Sequence, residues 1–262
     1  MLSKNKLKYL RQLALKKHRD EFGVFLAEGP KVVGDLLPYF HCQMLCATTE
    51  YLAQHPTLSA DEIIEVSQRE LEQASQLKTP RDVLAVFSRP EAAHADELLT
   101  LSQTQLVLAL DGVQDPGNVG TIVRIADWFG IEHIFCSVDT ADVFSPKTVQ
   151  ATMGAIGRVK VHYGPLPQQL RELPESVKVM GTFLDGENLY DKQLPQTGIL
   201  VMGNEGKGIS PEVEAAVNER LFIPNFPADR PTSESLNVAI ATAIVCGEFR
   251  RRVNVPSSSS SC

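Results

Sequence analysis

Short apolar runs alternate along this chain with stretches in which apolar residues recur every three or four positions, the pattern of strands laid between amphipathic helices. In the first ninety residues it predicts a basic helix, a strand over 24–27, a helix after Gly29-Pro30, strands over 43–47 and 63–66, a helix from about Arg69 and a strand over 83–87. Such alternation means a small α/β domain. Residues 89–104, polar and alanine-rich, predict a linker. Beyond it come a strand over 106–110, a helix from Asn118, a strand near Ile134, a helix after Ser145-Pro146 and strands over 159–162, 177–181 and 198–202. A helix after Ser210-Pro211, a strand over 220–223 and a terminal helix from about Ser235 complete the series. The expected organisation is two α/β domains, 1–95 and 105–255, with a linker over 96–104 and a disordered serine-rich tail over 256–262.

Composition sets the class. With 262 residues, 43% hydrophobic and 22% charged, the chain can build one large or two ordinary globular cores. No apolar run approaches the roughly 18 residues of a membrane helix. The N-terminal segment is lysine-rich and lacks the apolar stretch of a secretory signal, so a folded basic helix is expected there. Five cysteines without a CxxC pair predict reduced thiols in a cytoplasmic protein, not a disulfide framework or a zinc site.

The net charge of −7 conceals an asymmetry: Lys4, Lys6, Lys8, Arg11, Lys16, Lys17 and Arg19 fall in the first nineteen residues with no acidic partner, so the remainder stands at −14. A basic segment on an acidic body fits contact with nucleic-acid phosphates, and Lys16, Lys17 and Arg19 are its candidate RNA contacts. A second cluster, Arg250-Arg251-Arg252, closes the last helix. The plain alternative for both is a solvated helix face, with the three arginines complementing a helix C-terminus.

Three segments carry candidate chemistry. In DGVQDPGNVGTIVRIADWFG, residues 111–130, Val119, Ile122, Val123, Ala126 and Phe129 define a core face, Asn118 suits an N-cap and Gly130 suits the position past the helix end. Arg124 stands one turn after Gly120, a cation above a spot without a side chain where a flat or phosphorylated ligand could approach; a salt bridge to Asp127 is the competing reading. In ILVMGNEGKGIS, residues 199–210, an apolar strand enters Gly203, Gly206 and Gly208 around Glu205 and Lys207, and ligands in parallel sheets sit at such strand ends. This is not a phosphate-binding P-loop: two residues separate Gly203 from Gly206 where four are needed, and Gly208 has no hydroxyl for magnesium. No GxGxxG follows a strand either. In the third segment a proline-rich loop precedes a helix of small residues (Ala239, Ala241, Ala243, Gly247), which Ser233 or Ser235 can cap. For Ser235 and Asn237, capping alone is the simpler account.

Taken in order, NVGTIVR with Asn118, Gly120 and Arg124, GNEGKG with Glu205, and SLN at 235–237 closely resemble the three motifs of the SpoU/TrmH branch of the SPOUT RNA methyltransferases, over about residues 105–252. FLAEG at 25–29 resembles part of the ribosomal-protein-like substrate-binding domain that precedes the catalytic domain in many members. The loop between Ile223 and Ser235 is long for the family. The resemblance implies a C-terminal trefoil knot, a homodimer and S-adenosylmethionine bound at Thr182, Gly203, Ile223 and Leu236. It also implies methyl transfer to a ribose 2′-hydroxyl of RNA, ribosomal before transfer RNA, with Arg124, Asn118, Glu205, Ser235 and Asn237 in the catalytic set and with neither metal nor membrane involved. A SPOUT enzyme acting on a base or on tRNA, and a non-catalytic RNA-binding module, are the alternatives.

Overall fold

The computed structural model describes residues 2–90, 97–227 and 235–251. In chain order the elements are α1 (Lys4–Gln12), α2 (Lys16–Phe22), β1 (Val24–Glu28), α3 (Pro30–Leu36), β2 (Cys42–Ala47), α4 (Thr49–Gln54), β3 (Glu62–Glu65), α5 (Gln68–Ala74) and β4 (Val83–Ser88). They continue with α6 (Glu97–Thr104), β5 (Leu106–Leu110), α7 (Pro116–Trp128), β6 (His133–Ser137), α8 (Pro146–Thr152), β7 (Lys160–Gly164), α9 (Leu166–Arg171), β8 (Val179–Asn188), β9 (Gly198–Met202), α10 (Pro211–Glu214), β10 (Glu219–Phe222) and α11 (Val238–Arg251). Two compact units result: Met1–Ala93 with Asp115–Arg124 and Ala141–Val161, and His94–Gln114 with Ile125–Thr140 and His162–Cys262.

This division differs from the split at 95/105 expected from the sequence, because packing carries two later segments into the first unit. A Cβ on Gly120 would lie 2.5 Å from the Ala151 Cβ and 2.7 Å from the Thr148 carbonyl oxygen, so α7 and α8 meet backbone to backbone there. The bare spot at Gly120 is therefore filled by α8 and is not a place for a ligand. Phe144, just before α8, packs against Phe25 of β1 with ring centroids 5.0 Å apart. The expected linker over 96–104 is likewise corrected over its described part: α6 takes up 97–104, because Leu98 and Leu101, three residues apart, form an apolar stripe seated on the core of the second unit. The tail over 256–262, Ser233 and most of the loop after Ile223 lie outside the described residues.

The sheet of the first unit has the order β1-β4-β2-β3, with β2 and β3 parallel and the other neighbours antiparallel. Val24 and Leu26 of β1 meet Leu10, Leu13, Leu71, Leu84 and Val86 on one face, while Phe25 turns to Phe40 and Phe87 on the other. Strand alternation thus supplies two cores from one sheet. The basic N-terminus forms two helices instead of one, separated by Leu13, which is buried.

The second unit carries a six-stranded sheet in the order β10-β8-β9-β5-β6-β7, in which β10, β8, β9, β5 and β6 run parallel. Central strands β5 and β9 are buried at every position, as helices on both faces of a parallel sheet require. Val107, Ala109, Ile199 and Val201 form one core with Leu98, Leu166, Leu170 and Val213.

Candidate functional site

The parallel strands of the second unit end in loops held by side-chain bonds to backbone. After β5, an Asp111 carboxylate oxygen accepts from the Ser210 amide at 2.6 Å, and the Gly112 amide donates to Ser137 Oγ at 2.8 Å. After β9, Asn204 Nδ2 donates to the Gly112 carbonyl at 2.7 Å while its Oδ1 accepts from the Gly206 and Lys207 amides. Gly203 has no room for a side chain: a Cβ would sit 2.3 Å from the backbone of Gly208 and Ile209. The turn 203–209 is folded back on itself, and Glu205 accepts from the Gln114 amide at 3.2 Å.

The neighbouring wall comes from a break in the β8–β10 ladder. Gly181 pairs with Arg220 and Glu187 with Leu221, so residues 182–186 of β8 have no partner on β10 and form a bulge. The Arg220 guanidinium lies 3.6 Å over the Phe183 ring, bonds Asp185 at 2.5 Å and Glu214 at 2.6 Å, and holds the Asp185 carboxyl below its ordinary range. Between bulge, turn and the start of α11 opens a cleft of about 520 Å³. Thr182, Gly203, Glu205, Ile223, Ser235 and Leu236 all line it, together with the apolar side chains of Met202 and Ile209. Its volume and mixed lining are those of a small-molecule site.

The remaining expected site residues fall elsewhere. Asn118 and Arg124 stand on α7 in the first unit, Arg124 exposed, and neither lines the cleft. Asn118 is not the N-cap of α7. Asp115 takes that role, accepting from the Gly117 and Asn118 amides at 2.7 and 3.0 Å and from Lys147 Nζ at 2.9 Å, and Pro116 supplies the preorganised first position. Asn237, not Ser235, caps α11, its Oδ1 accepting from the Ala239 and Ile240 amides at 2.9 and 3.3 Å.

Lys16 and Lys17 are exposed, as an RNA contact requires. Arg19 is a correction: its side chain is 2% exposed and donates to the Leu13 and Ala14 carbonyls and to Asp142 Oδ2 at 2.7 Å, so a charge expected to contact RNA is a structural tie within the first unit.

Sequence spacing missed Asn204, Arg220 and a buried group outside the cleft in which Glu97, His133 and His162 come together. The last three are far apart in sequence, so no motif announces them. Cys42, Cys46, Cys136 and Cys246 are free and buried; burial pushes the Cys42 thiol up to about 11 and the Cys46 and Cys246 thiols to about 12, which makes them inert. Among the described residues no helix is long and apolar enough to cross a membrane.

The SpoU rRNA Methylase family matches residues 105–247, and the MRM3-like substrate binding domain matches residues 4–85. The chain is 31% identical over 254 residues to the 23S rRNA (guanosine(2553)-2'-O)-methyltransferase RlmP of Bacillus subtilis, covering 94% of this chain and 96% of that protein. Among solved structures, a TrmH-family chain from Porphyromonas gingivalis superposes with a TM-score of 0.85 at 44% identity, covering 96% of this chain and 99% of its own. An AdoMet-bound rRNA methyltransferase from Sinorhizobium meliloti superposes at 0.83 with 29% identity, covering 97% and 98%. The chain belongs to the SpoU rRNA Methylase family.

Proposed function

We propose that this protein methylates a ribose 2′-hydroxyl in ribosomal RNA, with S-adenosylmethionine as donor. The observation that carries the reading is the convergence of Thr182, Gly203, Ile223 and Leu236, four positions from separate segments, on one cleft. The residues suit the donor: apolar Ile223, Leu236 and Ile209 can enclose an adenine, the side-chain-free Gly203 brings backbone close, and the Glu205 carboxylate offers a countercharge to a cationic ligand. When bound, S-adenosylmethionine supplies a methyl group on a sulfonium, which needs no metal for its transfer.

The rest falls to the protein. Arg124, always protonated, cannot serve as an ordinary base. It binds the target phosphate and lowers the cost of the alkoxide developing on the ribose oxygen, whose proton passes to solvent water as the methyl leaves the sulfur, while Asn118, Glu205, Ser235 and Asn237 orient the ribose and the guanidinium. The N-terminal domain, through Lys16 and Lys17, grips RNA phosphates. The match of residues 4–85 to a substrate-binding domain and the ribosomal substrate named for the Bacillus relative support rRNA over tRNA. The enzyme acts in the cytoplasm as a homodimer, with exposed Trp128 and Ile240 as apolar material for the subunit contact, and its C-terminal loops form a trefoil knot.

The test is methyl transfer by the full chain to ribosomal and to transfer RNA, followed by nuclease digestion and mass spectrometry that locates the methyl on ribose or base. A methyl on a base, or on tRNA alone, refutes the assignment. The Arg124→Ala variant is expected to lose about 10²- to 10⁴-fold in rate with cofactor affinity nearly intact. Near-normal turnover would refute the catalytic assignment of Arg124.

A further inference from the structure

Apart from the cofactor cleft, the second unit holds a polar group with no part in methyl transfer. His133 opens β6, His162 lies in β7, and Glu97 is the first residue of α6. Both histidines are buried, at 5% and 7% exposure, and Glu97 is half-buried. His133 Nδ1 and His162 Nε2 face each other at 3.0 Å, and one donor atom from each of the three residues lies within 4.8 Å of the others. Phe135 stacks on the His162 ring with centroids 4.4 Å apart, which fixes the plane of that imidazole.

We propose that Glu97, His133 and His162 form a zinc site that ties α6 to strands β6 and β7. Two imidazoles and one carboxylate are a recognised protein set for Zn²⁺, with water completing the tetrahedron. Nitrogens on one tetrahedral zinc, each about 2.0–2.1 Å from the ion, lie roughly 3.3 Å apart. The present pair would have to open by only a few tenths of an ångström. With the His162 plane held by Phe135, the His133 ring must also tilt, since an interplanar angle of 14° with centroids 5.2 Å apart places the facing nitrogens almost in line. The Glu97 carboxylate supplies the negative charge that two neutral imidazoles lack. An N–H···N hydrogen bond between the rings accounts for the 3.0 Å separation but not for a carboxylate oxygen within 4.8 Å of both nitrogens.

The experiment uses the full chain, without an affinity tag, stripped with chelator and titrated with zinc chloride by calorimetry. Cobalt chloride serves in parallel as the optical probe. The expected result is one equivalent of zinc per chain, a rise in melting temperature with zinc, and visible cobalt bands of tetrahedral intensity. His162→Gln should abolish stoichiometric binding, and Glu97→Gln, a near-isosteric change at a half-buried position that keeps the fold, should weaken it by about tenfold or more. If the parent binds no stoichiometric zinc, the pair is a plain hydrogen bond and the proposal fails. It fails equally if Glu97→Gln and His162→Gln bind zinc as tightly as the parent, since the ion then sits on other side chains.

Discussion

Replacing Arg19 with glutamine separates a structural arginine from an RNA contact more sharply than any other change in the basic segment. The substitution deletes one partner of an ion pair whose side chains are 2% and 11% exposed, together with charge-assisted bonds to the Leu13 and Ala14 carbonyls at 2.8 Å. Breaking a buried pair from one side costs about 3–5 kcal/mol. Asp142 keeps partial compensation, with Arg89 Nη2 at 3.7 Å and the Phe144 amide donating to its other oxygen at 2.9 Å. The lower end, about 3 kcal/mol, is therefore expected, which lowers the melting temperature of a chain of this size by about 6–12 °C. Lys16→Gln with Lys17→Gln, at exposed positions, should move it by no more than about 2 °C. The same pair should flatten the salt dependence of RNA binding, each lost phosphate contact lowering the slope of log affinity against log salt by about 0.7–0.9. Thermal unfolding by circular dichroism and RNA binding at several salt concentrations read both effects. If Arg19→Gln melted with the parent and alone flattened the salt slope, the guanidinium would belong on the RNA surface and the packing argument would be wrong.

Gly203→Ala places a Cβ 2.3 Å from backbone that cannot yield cheaply, so S-adenosylmethionine affinity by calorimetry should fall by about tenfold or more; parental affinity would show that the turn relaxes without disturbing the cleft. The Asp115 carboxyl is held below its ordinary range first by the Lys147 hydrogen bond. Because the folded value is depressed, its stabilisation is complete above the usual aspartate range and is lost as pH falls through the folded value. The stability gap between the parent and Asp115→Asn should accordingly be wider at neutral pH than near pH 3, and a gap that grew in acid would contradict the assignment. Asn237→Asp keeps the acceptor that caps α11 but removes the amide donor, whereas Asn237→Ala removes both and should cost about 1 kcal/mol of stability. Slow methyl transfer by the aspartate variant at parental melting temperature would assign catalysis to the donor, and parental turnover would reduce Asn237 to a cap.

Strand positions were legible because the parallel core demands unbroken apolar runs: LVLAL and GILVM admit no other reading once glycine and polar residues bound them. The turn 203–208 was legible for a different reason, since glycines crowded at a strand end mark backbone that must fold tightly, whereas Thr182, Ile223 and Leu236 came only from the family resemblance. What the sequence hid was the partner of each polar side chain. Asp115 and Asn118 are three residues apart and both are good caps, and only the Lys147 contact and two amide bonds show which one starts α7. Residues 97–104 read as a connector because alanines and acids dominate the stretch before them, while the Leu98–Leu101 stripe that seats α6 is only a single turn long. The β8 bulge has no local signature at all. It arises from a five-residue register gap across β10, a non-local fact.

Three arginines show why residue type alone could not assign roles. Arg19 spends its charge on two carbonyls and Asp142, and Arg220 spends its charge on Asp185 and Glu214 while lying over Phe183. Each is held in place by those bonds, and a cation so committed has little field left to offer a charge that develops elsewhere. Arg124 is exposed on α7 and makes no ion pair among the described residues. A group meant to stabilise a transition state must be positioned by its backbone while its charge stays uncommitted until substrate arrives. The α7 helix meets the first condition through the Asp115 cap at its start and the Gly120–Ala151 contact along its length. The catalytic argument for Arg124 therefore rests on the rigidity of the helix that carries it and on its making no ion pair among the described residues, both of which the motif by itself left open.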